Sequence, residues 1–426
     1  MNDPATSLHT LAPKPIREID TYSDSRDILA HSKREAQLKG YSDWLICDVD
    51  AHHVETVSWN EVVKYIEDPV LRDQADTYHK ERTGAPPYGL NGDLGMRYQD
   101  VGGRIPHQSD RREKVETKTT HRDVVLTRRA MDGLSVDHMV LFPTPMLHLG
   151  LHPQPEMEVA LAQAYNMWLT DRILSEDDGI VTLVYLPFNT PEEACRTVER
   201  FANKKGVIGF CVTSARHKPL HSNEYMKLYR MIEETGKPIA FHAGYHWQDP
   251  SLQTLPNFLS VHALGFVWCS MVMLTNWILS GIPEKFPKLK SIWVESGVAW
   301  IPALMQRLDD QYLMRQSEAP LLKRMPSDYM RENCWYTCQP MEKSNMKALE
   351  LSFEMIKADT QLLYASDWPH FDFDTPGVIH DLPFLDETAK RNILGLNAAN
   401  AYGFDVATLA PIAERIGPTL SAVRGH

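Results

Sequence analysis

The stretch "ICDVDAHHVET", residues 46–56, decides how the rest of the chain is read. An apolar lead-in runs into Asp48, Asp50, His52 and Glu55, so a strand that starts among buried residues ends in side chains that must find partners. Side chains alternate along a strand, which puts Asp50 and His52 on one face and turns His53 away, to a structural role. Asp48 lies deeper on the Asp50 face, where it supports its neighbours, and Glu55 sits just above, at the start of whatever follows.

Seven further short apolar runs follow: "VDHMVLFP" (136–143), "IVTLVYLP" (180–187), "GVIGFCV" (206–212), "PIAFHAG" (238–244), "LKSIWVES" (289–296), "NCWYTC" (333–338) and "QLLYASDWP" (361–369). Between several of them the apolar residues fall at helical spacing, as in 156–174, 190–203 and 223–236. "TPEE" at 190–193 reads as a helix start, with Thr190 as the cap, Pro191 in the first turn and Glu193 reaching back. Strands that alternate with helices make a parallel sheet, because each crossover needs a helix to return the chain. Eight strand runs predict an α/β fold, a (β/α)₈ TIM barrel over 44–403. Before it, 1–43 reads as a polar arm packed on the body or on a neighbouring subunit. The Gly-, Pro- and charge-rich 57–130 reads as a lid-like insertion after the first strand, and 404–426 as a C-terminal tail.

The 426 residues carry a formal charge of −12 and no basic run, which excludes a nucleic-acid footprint. The most apolar stretch, 266–282, contains Ser, Thr and Asn and stops short of a full membrane span, so it predicts a buried helix and no membrane. The first twenty residues lack the basic and apolar regions of a secretory signal. Six scattered cysteines without a CxxC pair suit a reducing cytoplasm, and only Cys269 is a candidate for an active-site wall.

In a barrel of this kind the chemistry sits at the C-terminal strand ends. There the chain places Asp50 and His52 (strand one), His242 (strand five), Glu295 (strand six) and Asp367 (strand eight). A single histidine or carboxylate in such a place is more often hydrogen-bonded structure or a helix cap. Two imidazoles and two carboxylates on strands one, five and eight together suit zinc, manganese or iron, with positions left open for water and substrate.

These residues also carry a resemblance. "DVDAHHVE" resembles the DxDxHxxE opening of the amidohydrolase-related family, the branch of the amidohydrolase superfamily that includes aminocarboxymuconate-semialdehyde decarboxylase. "MDGLSVDHMVLFPT" (131–144), "AYNMWLTDR" (164–172), "FHAG" (241–244), "GIPEKFPKLKSIWVESGVAWIPALMQRLD" (281–309) and "YASDWPHFDFDTP" (364–376) are similar to it as well. The resemblance implies a metal-dependent barrel enzyme that holds one divalent ion, zinc first and manganese or iron next, on Asp50, His52, His242 and Asp367. No lysine ends strand four, which favours one ion over two. Asp50 departs from the His-x-His opening common in the superfamily, and an anionic ligand there makes the bound water less acidic. Glu295 departs from the strand-six histidine of several related decarboxylases, a role His370 or His246 could take.

The expected function is a hydrolase acting with metal-activated water on a small cyclic or aromatic carboxylate-type substrate. Asp367 would take the proton of that water and hand it on, with Glu295 and His370 as further catalytic candidates. Glu295 could instead approach the metal, orient a neighbouring histidine, or form a structural salt bridge. The alternative is a non-oxidative, metal-dependent decarboxylase of an aromatic or muconate-type acid, and the third reading is a non-catalytic barrel. Candidate substrate contacts are Tyr245, His246 and Trp247 after strand five, Trp300 after strand six, and Arg216, which could hold a carboxylate. His148 and His152 are further candidates at the mouth. The arm, the insertion and the habit of the relatives lead to the expectation of a homodimer.

Overall fold

The computed structural model describes residues 25–81, 115, 119–213, 218–244, 249–370 and 372–416. Every predicted strand run forms a strand: β1 Cys47–His53, β2 His138–Pro143, β3 Ile180–Tyr185, β4 Val207–Thr213, β5 Ile239–His242, β6 Ser291–Val294, β7 Cys334–Thr337 and β8 Leu362–Leu363. All are buried along their whole length, as strands of a parallel sheet covered on both faces must be. Their order in the sheet is their order in the chain, and every neighbouring pair is parallel. The barrel closes where Ala51 pairs with Trp368. Across that seam the Asp367 amide donates to the Asp50 carbonyl at 2.7 Å and the His52 amide to the Trp368 carbonyl at 2.6 Å. The closure therefore brings the first and last strand ends, and the acidic residues on them, side by side.

The crossover helices include Pro155–Arg172, Pro191–Phe201 and Met226–Thr235, where the apolar spacing put them. Pro191 occupies the first turn, while the Thr190 side chain makes no capping hydrogen bond, contrary to the sequence reading. The apolar stretch belongs to the helix Phe258–Leu279, and the expectation of a buried helix needs correcting. One face packs on the barrel through Met273, Leu274, Trp277 and Ile278, with Phe241 of β5 4.7 Å from the Trp293 ring of β6 and 5.0 Å from Trp277. The other face leaves Leu264, Trp268 and Val272 exposed at 43%, 40% and 43%. Among the described residues it is the one helix apolar and long enough to cross a membrane by length and composition.

The second half of the expected arm is the helix Ser25–Lys39, which lies against the helix Arg122–Leu134. The contact is close enough that a Cβ at Gly133 would come within 2.9 Å of Leu29, so the crossing depends on glycine. Lys39 pairs with Asp381 at 2.6 Å on the same side. The helices Pro69–Glu81 and Arg122–Leu134 flank the core of the insertion, while 82–114 and 116–118, which carry the lid expectation, lie outside the described residues. The tail begins as the helix Val406–Ile416.

Candidate metal centre

Each residue of the centre arrives on a strand end. His242 is the last residue of β5 and pairs in register with Val294, so Glu295 stands one step beyond it on β6. Asp50 and His52 come from β1, and Asp367 follows β8. His52 Nε2 lies 3.3 Å from Asp50 Oδ1 and 3.2 Å from Asp367 Oδ1, and His242 Nε2 lies 3.2 Å from Asp50 Oδ1. Both imidazole tautomers are set from behind. His52 Nδ1 donates to the Pro143 carbonyl at 3.0 Å and His242 Nδ1 to the Ala243 carbonyl at 2.8 Å. A carbonyl only accepts, so each Nε2 turns its lone pair towards the carboxylates.

Two lone pairs facing one another need a proton or a cation between them. Asp50 Oδ2, His52 Nε2, Glu295 Oε2 and Asp367 Oδ1 are buried and have no hydrogen-bond partner among the described residues. Burial opposes charge on His52, but contacts with Asp367 and Asp50 push it up to about 10. Burial likewise opposes the Asp367 carboxylate, and the neighbouring His370 and His52 hold it well below the usual range. Glu295 is pushed well above its ordinary value by burial and by the charges of Asp367 and Asp50. A divalent cation relieves all of these conflicts at once, and the donor set of imidazole nitrogens and carboxylate oxygens fits one.

Backbone strain points to the same place. Glu295 and Asp367 hold φ values of 59° and 62°, in the left-handed region that side chains other than glycine rarely adopt. Such a conformation costs about 1–3 kcal/mol per residue and persists where the surroundings impose it.

His370 completes the rim. Its ring stacks on His52 with centroids 4.2 Å apart. Its Nδ1 lies 2.7 Å from Asp367 Oδ1 and 3.9 Å from Glu295 Oε1. Its Nε2 is 3.4 Å from Thr144 Oγ1. Burial lowers the imidazole below its ordinary value, against the charge of Asp367. Phe142 sets its edge against His242, with centroids 4.8 Å apart, and walls one side.

The other residues singled out from the sequence divide cleanly. His53 turns away: its Nδ1 donates to Asp123 Oδ2 at 3.1 Å, and its Nε2 lies 2.9 Å from the Tyr165 hydroxyl. Glu55 accepts the Thr144 and Met146 amides, at 3.1 and 2.8 Å. His152 accepts the Gln154 amide at Nδ1, 3.1 Å away. Trp300, expected against the substrate, is instead buried in the core with its indole N–H donating to the Gly297 carbonyl at 3.1 Å. Among the described residues Glu295 has no Lys or Arg within ion-pair distance, and the basic groups nearest it are His242 Nδ1 at 3.5 Å and His370 Nδ1 at 3.9 Å. Tyr245, His246, Trp247 and Arg216 lie outside the described residues. The sequence reading missed His262: burial lowers its imidazole below its ordinary value, and it lies near enough to Asp367 and His370 to feel their charges. It sits in a helix rather than at a strand end, and its signal is that the helix Phe258–Leu279 has one histidine and no Asp, Glu, Lys or Arg.

Comparison with known proteins agrees with this architecture. A family model described as Amidohydrolase matches residues 126–404. The match starts beyond the first strand, so Asp50 and His52 join the centre through the fold and not through the matched segment. The chain is 21% identical over 275 residues to 2-amino-3-carboxymuconate-6-semialdehyde decarboxylase of Dictyostelium discoideum, covering 63% of this chain and 74% of that one. It is 23% identical over 257 residues to gamma-resorcylate decarboxylase of Polaromonas sp. (strain JS666 / ATCC BAA-500), covering 57% and 76%. The fold is shared with 5-carboxyvanillate decarboxylase of Novosphingobium aromaticivorans DSM 12444, solved with manganese and 4-hydroxy-3-methoxy-5-nitrobenzoic acid. The TM-score is 0.61 at 17% identity, over 85% of this chain and 97% of that one. The family model spans well over half of the chain, which therefore belongs to the amidohydrolase family and is an enzyme of that superfamily.

Proposed function

We propose that the protein is a non-oxidative decarboxylase of a hydroxylated aromatic or muconate-type acid, and that it holds one divalent ion on Asp50, His52, His242 and Asp367. The observation that carries this reading is His370, an imidazole stacked on one ligand and 2.7 Å from another. Decarboxylation needs a proton at the carbon that loses CO₂, and the glutamate on strand six had left that proton without an obvious source. His370, beside Asp367, takes up a proton from solvent for that carbon, and the Asp367 carboxylate stabilises the imidazolium that forms. The curated relatives, decarboxylases by name, support the same choice over hydrolysis.

A bound divalent ion would polarise the carboxylate and an adjacent hydroxyl oxygen of such an acid. His52 and His242, fixed from behind by backbone carbonyls, keep the centre rigid, and Phe142 excludes water on one side. His370 delivers its proton to the ring carbon, the C–C bond to the carboxyl breaks, and CO₂ leaves with no change of oxidation state in the protein. Zinc and manganese remain alternatives for the ion, with manganese favoured by the neighbour's bound metal. The uncharged outer face at Leu264, Trp268 and Val272 supports a homodimer, which sedimentation reads directly.

The test is to load the protein with manganese or zinc and offer gamma-resorcylate and 5-carboxyvanillate in D₂O. The expected result is CO₂ and an arene with one deuterium at the vacated carbon. His370→Gln should lower kcat about a hundredfold or more, the loss typical of a missing acid–base group, and leave metal content unchanged. Solvent oxygen in the product without CO₂ would identify a hydrolase and overturn the reading.

A further inference from the structure

We infer that Glu295 is itself a metal ligand, so that the centre is a site of three carboxylates and two imidazoles. The inference rests on the metal-binding reading above and extends it to a residue outside the four-ligand set.

Three observations converge on it. One donor atom each from Asp50, His52, His242 and Glu295 fits within 4.8 Å of the others. Ligand bonds of about 2.0–2.2 Å put donors on opposite sides of one ion at most about 4.4 Å apart, so this spread needs only a slight contraction. Glu295 is 6% exposed, and its Oε2 has no hydrogen-bond partner among the described residues. The imidazole nitrogens nearest it are His242 Nδ1 at 3.5 Å, already committed to the Ala243 carbonyl, and His370 Nδ1 at 3.9 Å. Finally, the backbone holds this side chain deliberately. Glu295 adopts φ 59°, as Asp367 does at 62°, and its amide donates to Thr337 Oγ1 of β7 at 2.9 Å. A glutamate with only a structural task at a strand end has no reason to be pinned in the left-handed region and aimed at two other carboxylates.

The chemical consequence is selectivity. With Asp50, Glu295 and Asp367 ionised, a divalent ion leaves the centre with a net charge of −1. Carboxylate-rich donor sets suit harder ions that accept more than four ligands, while zinc settles with four. Glu295 therefore tunes the site towards manganese or ferrous iron and away from zinc.

The test is competitive binding of Mn²⁺ and Zn²⁺ to the metal-free full chain, followed by the Mn²⁺ electron paramagnetic resonance signal, for wild type, Glu295→Gln and Glu295→Asp. Wild type should bind one Mn²⁺. Glu295→Gln should bind it about tenfold more weakly or worse, about 1.4 kcal/mol, with a smaller loss for Zn²⁺. Glu295→Asp should fall between the two, and keeps the question open to measurement if the glutamine variant misfolds. A purely structural glutamate would not move the Mn²⁺/Zn²⁺ ratio. Metal-free Glu295→Gln should also melt no lower than metal-free wild type, because the substitution removes a buried repulsion. Unchanged affinity and ratio in both variants would overturn the inference and leave the four-ligand centre intact. Wild type that binds neither ion would overturn the inference together with the metal-binding reading beneath it.

Discussion

Two sets of buried carboxylates lie in or just beyond the barrel strands, and they are treated in opposite ways. Asp48 and Glu55 are fully buried, and the chain answers them with its own donors. Asp48 accepts the Asp50 amide at 3.1 Å and the Ser366 amide at 2.9 Å, along with the Ser366 hydroxyl. Glu55 accepts the Thr144 and Met146 amides. Asp50, Glu295 and Asp367 are buried as deeply, yet each keeps an oxygen without a hydrogen-bond partner among the described residues. A buried polar atom left unpaired costs about 1–3 kcal/mol, and a charged one more. The first set is architecture, because its oxygens find hydrogen-bond donors within the fold, although burial still pushes Asp48 up to about 7 and Glu55 above its ordinary value. The second set is a site, because what offsets it must come from outside. Orphan atoms alone do not make the distinction: among the described residues His138 Nε2 on β2 also lacks a hydrogen-bond partner, but it belongs to no such cluster of ligand-type side chains.

The largest predicted effect separates the two sets directly. Asp50→Ala and His242→Ala should bind Mn²⁺ or Zn²⁺ at least a hundredfold more weakly, read by isothermal titration, because each removes an anchor from one ion. If both retained wild-type affinity, the division drawn here would collapse.

His138 sharpens the other side. Burial and the charge of Arg128 push its imidazole down to about 4. Its folded value is below the unfolded one of about 6.5, so the unfolded chain binds more protons between those values and stability falls as pH drops from 6.5 towards 4. The loss approaches about 3 kcal/mol at most, from about 1.4 kcal/mol per unit of pKa. Melting temperatures across that window should fall less steeply in His138→Asn than in wild type. Identical slopes would remove His138 as the cause.

Smaller effects belong to the satisfied carboxylates. Asp48→Asn should cost about 2 kcal/mol by denaturant unfolding, since three donors share an acceptor that loses one of its two oxygens, while metal stoichiometry stays at its wild-type value. Glu55→Gln should cost about 1 kcal/mol, because one oxygen still accepts an amide. A variant of either residue that folded well and lost its metal would show that the supporting set is part of the site.

Much of this was legible in the sequence because parallel strands announce themselves. Runs such as "IVTLVY" and "VIGFCV" have nowhere to go but a doubly covered sheet, so all eight strands could be placed. The alternation rule also separated His52 from His53 correctly. What sequence pattern could not carry was direction in space. Whether Trp300 faces substrate or core depends on the turn of a single residue at the start of its helix, and it faces the core. Nor does spacing along the chain show that the basic groups facing Glu295 are the imidazoles of His242 and His370. His262 joins the neighbourhood through a helix that crosses near the barrel mouth, a proximity that spacing along the chain does not encode. The apolar stretch 266–282 was read as buried because hydropathy sums over a helix and does not report its two faces.

The most direct measurement is the metal content of purified, metal-loaded protein by elemental analysis, with Asp48→Asn and Asp50→Ala beside wild type. About one equivalent of manganese, zinc or iron in wild type and Asp48→Asn, and none in Asp50→Ala, is the predicted result. A folded wild type that retains no metal, or an Asp50→Ala variant that retains a full equivalent, would contradict the claim that these unpartnered atoms exist to hold an ion.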